Sequence, residues 1–82
     1  MATGDLVESW IVTKPSVLGG KPCVRGTRIS VELILELFAS GASREDVLAA
    51  YPQVTAEGLA AALQYAALSM KNEIIWDVKI PA

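Results

Sequence analysis

Histidine is absent from the chain, and cysteine occurs once, as Cys23. The first absence removes the commonest general base and metal ligand. The second excludes an internal disulfide framework and predicts a reducing compartment. Met1 to Ser9 has no basic start followed by an apolar core, so no secretory signal is expected there. No apolar run approaches the roughly 18 residues needed to span a bilayer. These absences predict a cytoplasmic protein that neither crosses nor binds a membrane. Anions are also missing from one stretch. Between Lys14 and Arg28 stand four cations, Lys14, Lys21, Arg25 and Arg28, and no acidic residue. The formal net charge is only −2, so this segment is locally basic within an otherwise acidic chain.

What is present is apolar. Hydrophobic residues make up 52% of 82 residues, too many for a disordered chain and enough for one domain. So small a domain leaves a large share of its surface exposed, which predicts that part of the apolar content meets a partner. A single domain, 1–82, is expected in three parts. Residues 9–29 carry a strand and a basic hairpin, 30–71 a three-helix core, and 72–82 a terminal strand or tail.

Ser9 to Thr13 is rich in β-formers and reads as a short strand. Gly19-Gly20-Lys21-Pro22 is a turn-rich link. Cys23-Val24 and Arg28-Ile29 then flank Arg25-Gly26-Thr27 as a tight hairpin, with Gly26 at the positive-φ position. Ser30 is the expected N-cap of the first helix. Val31, Ile34, Leu35 and Phe38 recur on one face, which Leu33 and Leu37 widen, and Gly41 ends the helix. Ser43 and Asp46 form a capping box for a second helix with Val47, Leu48 and Tyr51 inward. Pro52 stops it. Thr55 caps a third helix, with Leu59, Ala62, Leu63, Ala66 and Met70 on its inner face. A short helix, a tight break and a longer helix match the helix-turn-helix plan. At the end, Ile74, Trp76, Val78 and Ile80 alternate with Ile75, Asp77 and Lys79 as a period-two strand. It needs an edge to pair with, either Ser9–Thr13 or another chain.

Catalysis finds little support, so no enzyme and no cofactor is expected. Cys23 has no histidine to activate it, and the carboxylates fall at helix starts or on solvated faces. The hairpin offers two readings: a phosphate-contacting loop, or a structural turn whose cations sit in water. It is not a nucleotide phosphate loop, because Pro22 follows Lys21 where Ser or Thr is required. The third helix contains no Arg, Lys or Asn in its first half, where bases would be read; Gln53, Thr55 and Gln64 are its nearest hydrogen-bonding candidates. The expected DNA-contacting set is Lys21, Arg25, Thr27, Arg28, Gln53 and Thr55. Ala61, Tyr65 and Leu68 make a second apolar line on the third helix. With Leu33 and Leu37 they exceed the needs of one small core. Tyr65, Leu68, Leu33, Leu37, Ile74, Trp76, Val78 and Ile80 are therefore expected at a dimer or partner interface.

The motifs Gly19-Gly20-Lys21-Pro22, Gly26-Thr27-Arg28-Ile29, Gly41-Ala42-Ser43, Tyr51-Pro52 and Tyr65-Ala66 resemble, in this order and spacing, one prokaryotic family. It is the domain-of-unknown-function 433 family, described as predicted antitoxins (VapB-like) of type II toxin-antitoxin systems. The resemblance spans about residues 10 to 70. It implies a mainly α, homeodomain-like three-helix domain with an N-terminal hairpin. It also implies a PIN-type nuclease toxin as partner and binding to the chain's own promoter, double-stranded DNA. Two positions depart from the family pattern. Ser30 stands where Pro is common, and Gly58 stands in the first turn of the third helix where a larger residue is usual. The expectation is thus a homodimeric antitoxin-like DNA-binding regulator. The alternatives are a stand-alone helix-turn-helix regulator, or a dimeric interaction module without DNA binding.

Overall fold

A computed structural model of the chain describes residues 3–71. Four helices surround a two-stranded antiparallel sheet: α1 (Thr3–Trp10), β1 (Ile11–Val12), β2 (Cys23–Val24), α2 (Val31–Ala39), α3 (Arg44–Ala50) and α4 (Thr55–Ser69). Short 3₁₀ turns fill Leu18–Gly20 and Pro52–Val54.

α1 corrects the expectation of a strand over Ser9–Thr13. Ser9 and Trp10 end a helix, and only Ile11 and Val12 are extended. Leu6, Val7, Trp10 and Ile11 fall at i, i+1, i+4 and i+5, which is one helical stripe. Leu6, Val7 and Trp10 lie against the core, and α1 packs on α4. β1 pairs with β2 in the register Ile11–Val24 and Val12–Cys23. Val24 N–H in turn donates to Ile29 O at 3.0 Å, and Cys23 bridges Ser30, closing a turn over residues 25–28, one residue longer than the expected Arg25-Gly26-Thr27, with Gly26 at φ 77°.

The three later helices begin and end where the local chemistry dictates. Ser30 is extended, and its hydroxyl accepts from Leu33 N–H at 2.9 Å. Gly41, at φ 102°, follows the end of α2 and takes the left-handed conformation that glycine adopts without cost. Ser43 and Asp46 exchange reciprocal bonds at 2.9 and 3.0 Å, a complete capping box. Thr55 has φ 64° and ψ 160°, and its Oγ1 accepts from Gly58 N–H at 3.2 Å. It therefore caps α4 as expected, in a backbone region that β-branched residues rarely enter.

Ile34, Leu59, Val24, Val47 and Val54 are fully buried and form the centre of the core. α2 packs on both α3 and α4. Two expected inward residues point elsewhere: Leu35 is 40% and Met70 62% exposed. The core face of α2 is centred on Val31 and Ile34, with Leu33, Leu37 and Phe38 partly covered beside them. Gly58 is buried. A Cβ there would stand 3.0 Å from Val24 Cγ1 and 3.5 Å from Trp10 Cε3, so glycine lets α4 close on β2 and α1.

Candidate functional site

The anion-free segment Lys14–Arg28 forms β2 and the loops on either side of it. Within the 25–28 turn, Thr27 N–H donates to Val24 O at 3.0 Å. The Thr27 hydroxyl donates to the same carbonyl at 2.8 Å and accepts from Ile29 N–H at 3.0 Å. Thr27 thus stitches the turn together with its own side chain.

The four cations have separate employments. Lys21 Nζ lies 2.7 Å from Glu32 Oε1 in an exposed ion pair. Its hydrogen bond and attraction to Glu32 hold the ammonium pKa above its ordinary 10.5. Arg25 reaches back to α1: Nε donates to Ser9 O at 2.7 Å and Nη2 to Glu8 O at 3.2 Å, while its own N–H donates to Trp10 O at 2.7 Å. It is a cationic clamp on the last carbonyls of α1, where helix ends lack intrahelical partners and favour positive charge. Lys14 and Arg28 are exposed. Among the described residues neither enters a salt bridge.

Of the remaining expected DNA contacts, Gln53 is exposed in the turn before α4, and Thr55 is committed to capping that helix. The structure therefore brings Thr27 and Arg28 together in one turn and puts Gln53 and Thr55 at the break between α3 and α4. Gln64 Oε1 is buried and finds no donor among the described residues. Of the expected interface residues, Leu68 is 42% exposed. Leu33, Leu37 and Tyr65 are half-buried against the core, and Ala61 is wholly buried. Ala61 thus lies inside the core and Tyr65 packs against it, on the helix against which α1, unforeseen in the sequence, is packed. Ile74, Trp76, Val78 and Ile80 lie outside the described residues.

Beside the turn is a surface cavity of about 270 Å³, lined by Val12, Lys14, Val17, Cys23, Gly26, Thr27 and Arg28. Lys14, Val12 and Val17 were not among the expected site residues. The signal for Lys14 was its place in the same anion-free run. Cys23 is buried and its thiol donates to Lys21 O at 3.2 Å. Among the described residues no group of three or more His, Cys, Asp or Glu is placed to hold a metal ion. No helix of the described residues is long and apolar enough to cross a membrane.

Comparison with known proteins adds a lineage without an activity. The uncharacterized protein y4eO of Sinorhizobium fredii is 41% identical over 56 residues, 68% of this chain. The chain spans only 25% of the length of that curated relative. The crystal structure of a DUF433 member protein from Anabaena variabilis superimposes with a TM-score of 0.71 at 35% identity, over 79% of this chain and 64% of that one. Residues 11–66, from β1 through most of α4, match the family model described as protein of unknown function (DUF433), and the chain belongs to that family.

Proposed function

We propose that the chain is an antitoxin-like regulator: a dimeric helix-turn-helix module that contacts its own promoter and engages a PIN-type nuclease toxin. The observation that carries the DNA half of this reading is the α3–α4 unit. A seven-residue helix and a fifteen-residue helix are joined by the three-residue turn Pro52–Val54. That succession of a short helix, a tight break and a longer helix matches the plan in which a second helix enters the major groove. Arg28, exposed and without a carboxylate partner among the described residues, supplies a phosphate contact from the neighbouring turn. The toxin half rests on the motif resemblance from which an antitoxin role is expected. The exposed Leu68 and Met70, at the end of α4, favour a protein partner near that end.

A specific observation favours a second reading, an interaction module without DNA binding. The exposed residues of the first turn of α4 are Ala56 and Glu57. An alanine reads no base edge beyond a thymine methyl, and an acid repels the backbone. Two measurements separate the readings. Gel-shift on the upstream DNA at low salt should give a sequence-preferring complex. Co-expression with the adjacent gene product should give a stable complex by size exclusion, with light scattering reporting a dimer of this chain. Toxin binding without any DNA shift would select the second reading. A monomer that binds neither would sink both.

A further inference from the structure

The cavity beside the 25–28 turn has walls of two kinds. Val12, Val17 and Cys23 make it apolar, and Lys14 and Arg28 bring two positive charges to it. Its other polar groups are already engaged. The Thr27 hydroxyl both donates and accepts inside the turn, and the Cys23 thiol donates to Lys21 O. The remaining free hydrogen-bonding side chains are the two cations, and among the described residues no carboxylate pairs with either. At Gly26, φ is 77° and a Cβ would meet nothing within 4 Å, so that wall is bare backbone facing open space. Like charges gathered at an apolar concavity without a counter-ion repel each other, and an anion seated there relieves the repulsion.

We propose that this cavity binds a small organic anion, its ionised head between Lys14 and Arg28 and its aliphatic body on Val12, Val17 and Cys23. The volume of about 270 Å³ falls just below the ~300–1,000 Å³ typical of sites for drug-sized ligands, which restricts the occupant to metabolite size. The head is a carboxylate or a phosphate monoester, because both present the oxygens that a guanidinium and an ammonium recognise. The apolar walls reject a bare inorganic ion, which would lose hydration without filling them. This inference does not depend on DNA or toxin binding.

The test is a titration of the isotope-labelled full chain, followed by amide resonances, with two anions: isocaproate and isoamyl phosphate. Isohexanol and acetate are the controls, one lacking the charge and the other the body. At least one anion should bind with a Kd of about 1 mM or tighter and shift Val12, Val17, Cys23 and Thr27. Which of the two binds identifies the head. Each control should bind at least about tenfold more weakly, since it lacks one of the two contributions. Arg28→Gln and Lys14→Gln alter exposed side chains and should keep the native circular dichroism, while each weakens the anion by about three- to fivefold. The proposal is overturned if neither anion shifts those amides at about ten times the expected Kd. Equal binding of isohexanol, or unchanged affinity in both variants, overturns it as well.

Discussion

Gly58 is a position where two effects of opposite sign meet. In a helix interior glycine costs about 1 kcal/mol relative to alanine. Here the added Cβ would press on Val24 Cγ1 at 3.0 Å, and Val24 is fully buried, with no solvent to yield into. Overpacking of this kind costs about 1–3 kcal/mol, so packing wins. Gly58→Ala should lower the melting temperature by about 4–8 °C per kcal/mol of net loss, as read by calorimetry. A rise would mean that Val24 moves aside and propensity decides. Arg25 carries a comparable burden at the surface. Its fork joins the 25–28 turn to the end of α1 through Ser9 O and Glu8 O. Arg25→Ala should cost about 1 kcal/mol, below the usual range for charge-assisted bonds because the group is exposed. Urea unfolding would read this as a lower midpoint at unchanged slope. Arg25→Lys should recover only part of it, having lost the planar fork. Lys21→Gln should leave the midpoint unmoved, since exposed ion pairs add little.

At the scale of the element, the α3 capping box supplies a pH signature. The Ser43 backbone N–H, and secondarily its hydroxyl, hold the Asp46 carboxyl below its ordinary 3.8. A depressed folded pKa means that stabilisation is fully present above the unfolded value and disappears as pH falls through the folded one. Wild type should therefore exceed Asp46→Asn in thermal stability at pH 6, and the gap should close below 3.8. A gap that persists unchanged in strong acid would remove the carboxylate from the account. This box, the Ser30 cap, Gly26 and Gly41 were legible in the sequence because each depends on residues within a few positions of itself. α1 was not. The β-formers at its end, Trp10 to Thr13, dominated a helical stripe whose other members are Leu6 and Val7. That one omission propagated. The line Ala61, Tyr65 and Leu68 reads as surface in a three-helix domain, whereas in the fold Ala61 is wholly buried and Tyr65 half-buried against the core. The reason for Gly58 likewise lies in the tertiary fold, where Trp10 and Val24 stand against it. The cavity was not legible either, because its walls come from β1, β2 and two separate loops that only the fold brings together.

For the whole molecule, the question that follows from the proposed function is how much of its positive charge is free to meet DNA. Four cations from Lys14 to Arg28 in each protomer of a dimer would neutralise up to about eight phosphates, a salt slope near −7. The fold divides that set. Lys21 faces Glu32 at 2.7 Å, and Arg25 is bonded to the carbonyls of Ser9 and Glu8. Releasing either to a phosphate forfeits an existing interaction, so Lys14 and Arg28 are the cations that bind without loss. A dimer then presents about four such charges, and the slope of log affinity against log salt should lie near −4. Arg28→Ala should weaken binding to all sequences alike and reduce the slope by about two in the dimer, one for each copy lost. Arg25→Ala should instead act through stability, weakening DNA binding only as far as the folded fraction falls. Fluorescence anisotropy on the upstream duplex at several salt concentrations measures all three. A slope near −7 in wild type would mean that Lys21 and Arg25 leave their partners on the DNA, or that cations outside this segment, such as the exposed Arg44 at the start of α3, join them. A slope unaltered by Arg28→Ala would remove the 25–28 turn from the interface and leave the α3–α4 unit to bind alone.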